Sequence, residues 1–238
     1  MRRQIRVTTG VALVIIATGT AAAREQAETA RLRTDWAQLL HYRDENLRLP
    51  PPASGAPRVI FLGDSITESW HLSDLGLSQL EVLNRGISGQ TTPQMLVRFQ
   101  QDVVTLRPAV VHILAATNDF AENTGPTTLA AIEDNFRSMA EIAHANHIRV
   151  VLGSVLPVAD FPWRRGLQPS PRIIALNSWL QAYARQHKLV YVDYYSALVD
   201  SEGGMKSALS GDGVHPNPAG YAAMRSLTRQ SLLKALGN

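Results

Sequence analysis

Short β-branched runs alternate with helical stretches along most of this chain, and that alternation constrains the fold more than any other feature. The strand candidates are Arg58–Leu62, Glu81–Asn84, Val110–Ala115, Arg149–Ser154 and Leu189–Val192. Between and after them lie helix candidates at Thr92–Leu106, Thr127–Asn146, Pro171–His187 and Pro218–Leu236. The run Val110-Val111-His112-Ile113-Leu114 is nearly continuous in apolar residues. A strand of that kind is buried on both faces, as in a parallel sheet. Alternating β and α units predict a doubly wound α/β fold, a three-layer α/β/α sandwich on a five-stranded parallel sheet. Ligands of such sheets sit beyond the carboxyl ends of the strands, so chemistry is to be sought in the residues just after each strand.

The N-terminus reads differently. Met1–Arg6 is basic, Val7–Thr20 is mostly apolar, and Ala21-Ala22-Ala23 precedes Arg24. This is the three-part layout of a secretory signal peptide cleaved near Ala23, shorter than a membrane-spanning helix needs. The expectation is an exported protein, periplasmic or secreted, with no stable membrane association after cleavage. Arg24–Leu49, with Leu32, Trp36, Leu39 and Leu40 at helical spacing, predicts one long amphipathic helix docked on the domain. Pro50-Pro51-Pro52-Ala53-Ser54-Gly55 ends it as a linker. The expected layout is therefore a signal peptide over 1–23, a helix and proline-rich linker over 24–56, and one main domain over 57–238.

Composition narrows the function classes. Of 238 residues, 45% are apolar and 18% charged, which excludes a disordered chain. The net charge of +3 resides in Arg2, Arg3 and Arg6; beyond residue 23 the charges balance at 20 of each sign. No nucleic-acid partner is expected from that balance. The absence of cysteine removes thiol nucleophiles, disulfide frameworks and cysteine-based metal sites. His144 and His147 sit i, i+3 at a helix end without an obvious third ligand, so no metal and no cofactor is expected.

The strand ends carry the informative motifs. Gly63-Asp64-Ser65-Ile66 follows the first strand, and Asn84-Arg85-Gly86-Ile87-Ser88-Gly89-Gln90-Thr91-Thr92 follows the second. Ala116-Thr117-Asn118-Asp119 follows the third, and Asp212-Gly213-Val214-His215-Pro216 directly precedes the last helix. A serine hydroxyl attacks only when a base takes its proton. His215 is the candidate base for Ser65, and Asp212, three residues earlier, can accept from its Nδ1–H. Activity is then expected to fall on acidification, as His215 becomes protonated. The rival G-x-S-x-G signature of α/β-hydrolases is absent from the chain.

Together these blocks resemble the SGNH, or GDSL, hydrolase family, from about Arg58 to Leu236. Asn84–Thr92 is also similar to the matching turn of the platelet-activating-factor acetylhydrolase α subunits. The resemblance implies a flavodoxin-like SGNH hydrolase fold and a catalytic triad of Ser65, Asp212 and His215. It implies an oxyanion hole from the Ser65 N–H, the Gly89 N–H and the Asn118 side chain; Gly86 is read as a structural turn glycine. Ala116 stands where the family has glycine, and Gln90 where the acetylhydrolase turn often has aspartate. The implied function is a serine esterase acting on a small-molecule or carbohydrate ester, with the acetylhydrolase likeness favouring short acyl groups.

Other readings of the same site are a thioesterase or lysophospholipase on longer chains, a sugar O-acyltransferase, and a non-catalytic binding protein. Trp70 follows the nucleophile closely, and Trp163 lies in a proline-rich loop, Pro157–Pro171, after the fourth strand. Both are candidate substrate-binding residues, Trp163 for the alcohol side of the ester. His112, in mid-strand, reads as a buried, hydrogen-bonded core histidine.

Overall fold

Five parallel strands form one sheet in the order β2-β1-β3-β4-β5: β1 Arg58–Gly63, β2 Glu81–Gly86, β3 Val110–Leu114, β4 Arg149–Gly153 and β5 Val190–Val192. We analysed a computed structural model, which describes residues 34–237. The helices are α1 Arg43–Arg48, α2 Ser65–Glu68, α3 Thr92–Asp102, α4 Thr117–Phe120, α5 Leu129–Ala145, α6 Ser170–Gln186, α7 Tyr195–Leu198 and α8 Pro218–Leu236. The signal peptide expected over 1–23 lies outside the described residues.

The pleat sorts the strand residues into two cores. Ile60, Leu62, Val111, Ile113, Val150 and Leu152 face α3, α5 and α6, whose Phe99, Phe136 and Leu176 pack against them. Their neighbours Val59, Phe61, Val110, Leu114 and Val151 face the opposite layer, with Met224 and Leu232 of α8. Every residue of β1 and β3 is buried, as the apolar runs predict for strands covered on both sides. His112 lies on the α8 face of β3, with its Nε2 2.8 Å from the Tyr194 hydroxyl. Burial lowers its pKa to about 3, so it is a neutral core residue.

Local sequence sets the element ends. Thr91 and Gln94 form a reciprocal capping box on α3. The stretch expected as one helix to Leu106 breaks after Asp102 into a short 3₁₀ turn at Val104–Leu106, ahead of Arg107 at φ 50° and Pro108. β3 ends at Leu114 because Ala116 turns left-handed, at φ 87°.

Of the helix expected over Arg24–Leu49, residues 24–33 lie outside the described residues, and the described part is not one continuous helix. Residues 35–42 are a series of turns, followed by the short α1. The Asp35 carboxylate accepts from the N–H groups of Leu39 and Leu40 at 2.7 and 3.0 Å, and Gln38 sits at φ 56°. Such a side chain competes with the helix for its own backbone. Polar clamps hold this strap to the domain: Asn46 bonds Asp102 at 2.7 Å and the Tyr42 hydroxyl donates to Gly86 O at 2.5 Å.

The order of the strands makes β1 and β3 the switch point, where the chain leaves one side of the sheet for the other. The ends of β1, β2 and β3 thus bring three chain-distant blocks to one rim.

Candidate active site

Ser65 is the first residue of α2, and Asp64 caps that helix through its Oδ1, which accepts from Ile66 N at 3.0 Å. The cap places the serine at the rim and gives its N–H to the positive end of a short helix. A side chain at position 63 would put its Cβ 2.0 Å from Thr67 Oγ1 and 2.6 Å from Leu114 O, so strand and helix close up only around glycine.

Ser65 Oγ lies 2.9 Å from His215 Nε2, and His215 Nδ1 lies 2.7 Å from Asp212 Oδ2. With the carboxylate accepting at Nδ1, that nitrogen carries the proton and Nε2 presents its lone pair to the serine. The other Asp212 oxygen accepts from Val214 N at 2.9 Å and His215 N at 2.8 Å. Partial burial works against the Asp212 charge, but the bonds from His215 and Val214 outweigh it and bring the pKa down to about 2.

Two residues that the motifs do not contain support this arrangement, one at the turn and one between the helices. Ser210 Oγ donates to His215 O at 2.7 Å and accepts from Gly213 N at 2.9 Å. Tyr221, in the first turn of α8, donates to Ile66 O at 2.7 Å across 155 residues, tying the histidine's helix to the serine's helix. An aromatic at i+6 from a histidine has no recognisable signature in sequence.

Gly89, at φ 78°, occupies the left-handed region that favours glycine. Gly86 is glycine for another reason: its Cβ would lie 2.2 Å from the backbone nitrogen of Glu68. Asn118 is buried, and its Nδ2 donates to Gln90 O at 3.1 Å and to Asp64 Oδ2 at 3.3 Å. Its Oδ1 accepts from Asn123 Nδ2 at 2.8 Å, and the same Asn123 nitrogen reaches Gly89 O at 3.3 Å. Asn123 thus links the two predicted oxyanion groups from outside any motif.

Asp119 reaches across to α3, accepting from Thr92 N at 2.9 Å and Thr92 Oγ1 at 2.6 Å. Burial lifts its pKa to about 6 against those bonds, and lifts that of Asp64 to about 7. Ala116 meets the glycine expectation through its backbone. At φ 87° and ψ −8° an alanine carries steric strain of about 1–2 kcal/mol that glycine avoids. Gln90 is fully buried and bridges Arg98, which donates to its Oε1 at 2.5 Å, to the strap carbonyl of Ala37 at 2.9 Å.

The two tryptophans separate. Trp70 is 4% exposed and packs against Phe61, His112, Tyr194 and Tyr221. Its ring, following α2, is drawn into the α8-side core, and its edge borders a small cavity with His71, Pro216 and Tyr221. Trp163 is 48% exposed, with its ring centre 6.2 Å from that of His215. It lines a cleft of about 510 Å³ together with Gly89 and Asn123.

Comparison with known proteins gives the family of the chain. Residues 61–223 match the model of the GDSL-like Lipase/Acylhydrolase family. A GDSL-like lipase from Bacteroides thetaiotaomicron superimposes with a TM-score of 0.80 at 42% identity, covering 84% of this chain and all of that one. The isoamyl acetate-hydrolyzing esterase 1 homolog of Bos taurus is 30% identical over 200 residues, 71% of this chain and 80% of the bovine one. Platelet-activating factor acetylhydrolase IB subunit alpha1 of Pongo abelii is 25% identical over 190 residues, 76% of this chain and 77% of that one. With the matched family spanning most of the described sheet and every motif-bearing strand end, the chain belongs to the GDSL-like lipase/acylhydrolase family and is a carboxylic ester hydrolase.

Proposed function

We propose that this enzyme is an exported serine esterase that removes short acyl groups, chiefly acetyl, through an acyl-enzyme on Ser65. The observation that carries the reading is the hydrogen-bonded chain from Ser65 to His215 to Asp212, at 2.9 and 2.7 Å. Ser65 Oγ attacks the ester carbonyl while His215 Nε2 takes its proton, and Asp212 stabilises the imidazolium that results. The N–H groups of Ser65 and Gly89 and the Asn118 amide meet the developing oxyanion. Asn118 does so by exchanging its longer contact, to Asp64 at 3.3 Å, for the new oxygen. His215 then returns the proton to the departing alcohol, and water repeats the sequence on the acyl-enzyme.

The acetyl preference draws support from the acetate- and acetyl-hydrolysing names of two relatives. Export draws support from the basic, apolar and alanine-rich layout of residues 1–23. The test follows hydrolysis of p-nitrophenyl esters from acetate to long acyl chains, with Ser65→Ala and a fluorophosphonate label alongside. Activity is expected to peak at acetate, to fall at least ~10⁴-fold in Ser65→Ala, and to vanish with labelling of Ser65. A peak at long chains overturns the acyl assignment, and undiminished Ser65→Ala activity overturns the nucleophile.

A further inference from the structure

We infer that the strap ahead of the matched family segment builds part of the active-site cleft. Trp36 there is a specificity-determining residue that, with Trp163, takes a neutral, polyhydroxylated ring alcohol such as a saccharide as the leaving group. The inference rests on the serine esterase reading above and deepens it.

Trp36 lies outside residues 61–223, the segment that the family shares. It is 40% exposed and lines the cleft that also holds Gly89, Asn123 and Trp163. Through Trp163 that cleft adjoins His215, the group that hands a proton to the departing alcohol. At about 510 Å³ it falls within the ~300–1,000 Å³ range of small-molecule sites.

The strap is held in place rather than merely resting there. Three glutamine amides of the domain each donate to one of its carbonyls: Gln94 to Trp36 at 2.7 Å, Gln90 to Ala37 at 2.9 Å and Gln101 to Leu39 at 2.6 Å. Gln90 is itself fixed by the buried Arg98, whose Nη1 pairs with Asp102 at 3.1 Å. The fold thus presents an exposed indole at a defined position, and does not bury it as it buries Trp70.

The lining chooses the chemistry of the alcohol. Among the described residues, its two charged side chains, Glu122 and Arg164, pair with one another at 2.6 Å, leaving that part of the wall neutral. A phosphorylated or cationic headgroup finds no uncompensated charge among those described lining residues. Exposed indole faces fit the C–H face of a sugar ring, and the intervening amide and hydroxyl side chains fit its hydroxyls.

The test compares kcat/KM for an acetylated xylo- or gluco-disaccharide with that for ethyl acetate, in wild type, Trp36→Ala and Trp36→Tyr. Wild type is expected to prefer the saccharide ester at least tenfold. Trp36→Ala should lower that preference about tenfold, mainly through KM, and Trp36→Tyr should restore most of it. Unchanged circular dichroism and thermal midpoint establish that the variants fold. A wild type with no preference, or a Trp36→Ala preference equal to wild type, overturns the inference while Ser65-dependent hydrolysis still stands. Loss of Ser65 dependence overturns the esterase reading itself, and the inference with it.

Discussion

Replacing Asp64 by asparagine removes a titratable carboxyl that the fold keeps only 1% exposed beside Ser65. Burial, helped by the nearby Asp119 and opposed by the Ile66 N–H and His215, lifts its pKa from the ordinary 3.8 to about 7. A carboxyl whose pKa rises on folding holds its proton more tightly in the native state. Its contribution to stability is therefore complete below pH 3.8 and is lost as pH rises towards 7. At ~1.4 kcal/mol per pH unit, that rise amounts to about 4 kcal/mol lost between acid and neutral pH.

The substituted amide has nothing to titrate, so the variant escapes this loss. Its own cost is a constant of about 1 kcal/mol, for weakening the contact between Asn118 and position 64. Asp64→Asn should accordingly be slightly less stable than wild type near pH 4 and about 3 kcal/mol more stable at pH 8. Urea unfolding of both proteins at intervals from pH 4 to pH 9 reads the difference directly, and other titrating groups largely cancel in it. The difference should climb up to about pH 7 and level off above. A difference that stays flat across the range would refute the reasoning, because Asp64 would then ionise as freely folded as unfolded.

Two further substitutions probe the rim. Asn118→Ala should lower kcat on p-nitrophenyl acetate by about 10²–10³ with a much smaller change in KM, as for loss of one oxyanion donor; a loss under tenfold would remove Asn118 from that role. Gly86→Ala forces a Cβ to within 2.2 Å of the Glu68 nitrogen, whereas the Cβ of Gly89→Ala meets only Asn123 Nδ2 at 3.9 Å and strains φ alone. Thermal unfolding should show about 3 kcal/mol lost for Gly86→Ala and about 1–2 kcal/mol for Gly89→Ala; the reverse order would contradict the packing argument.

Features that depend on neighbours along the chain were legible in the amino-acid order. Five strands came from apolar runs whose alternation the two cores reproduce, and α8 runs over Pro218–Leu236, as its proline start predicts. Asp212 and His215 are three residues apart, so one turn suffices to join them, and the left-handed Gly89 sits in a motif that names it. Contacts between distant segments became visible only in the folded molecule. The indole that is buried, Trp70, and the ones that line the cleft, Trp36 and Trp163, are chemically identical in sequence. Their fates follow from which layer each segment packs against. The strap broke from the helix that its spacing predicts because Asp35 captured its own backbone and polar side chains of α3 offered better partners than an apolar stripe could. The shifted acidity of Asp64, the Asn118–Asn123 link and the Tyr221–Ile66 bond are likewise products of sheet order. A side chain's type declares which bonds it is able to make, while burial and the partner across the sheet are settled when the strands take their places.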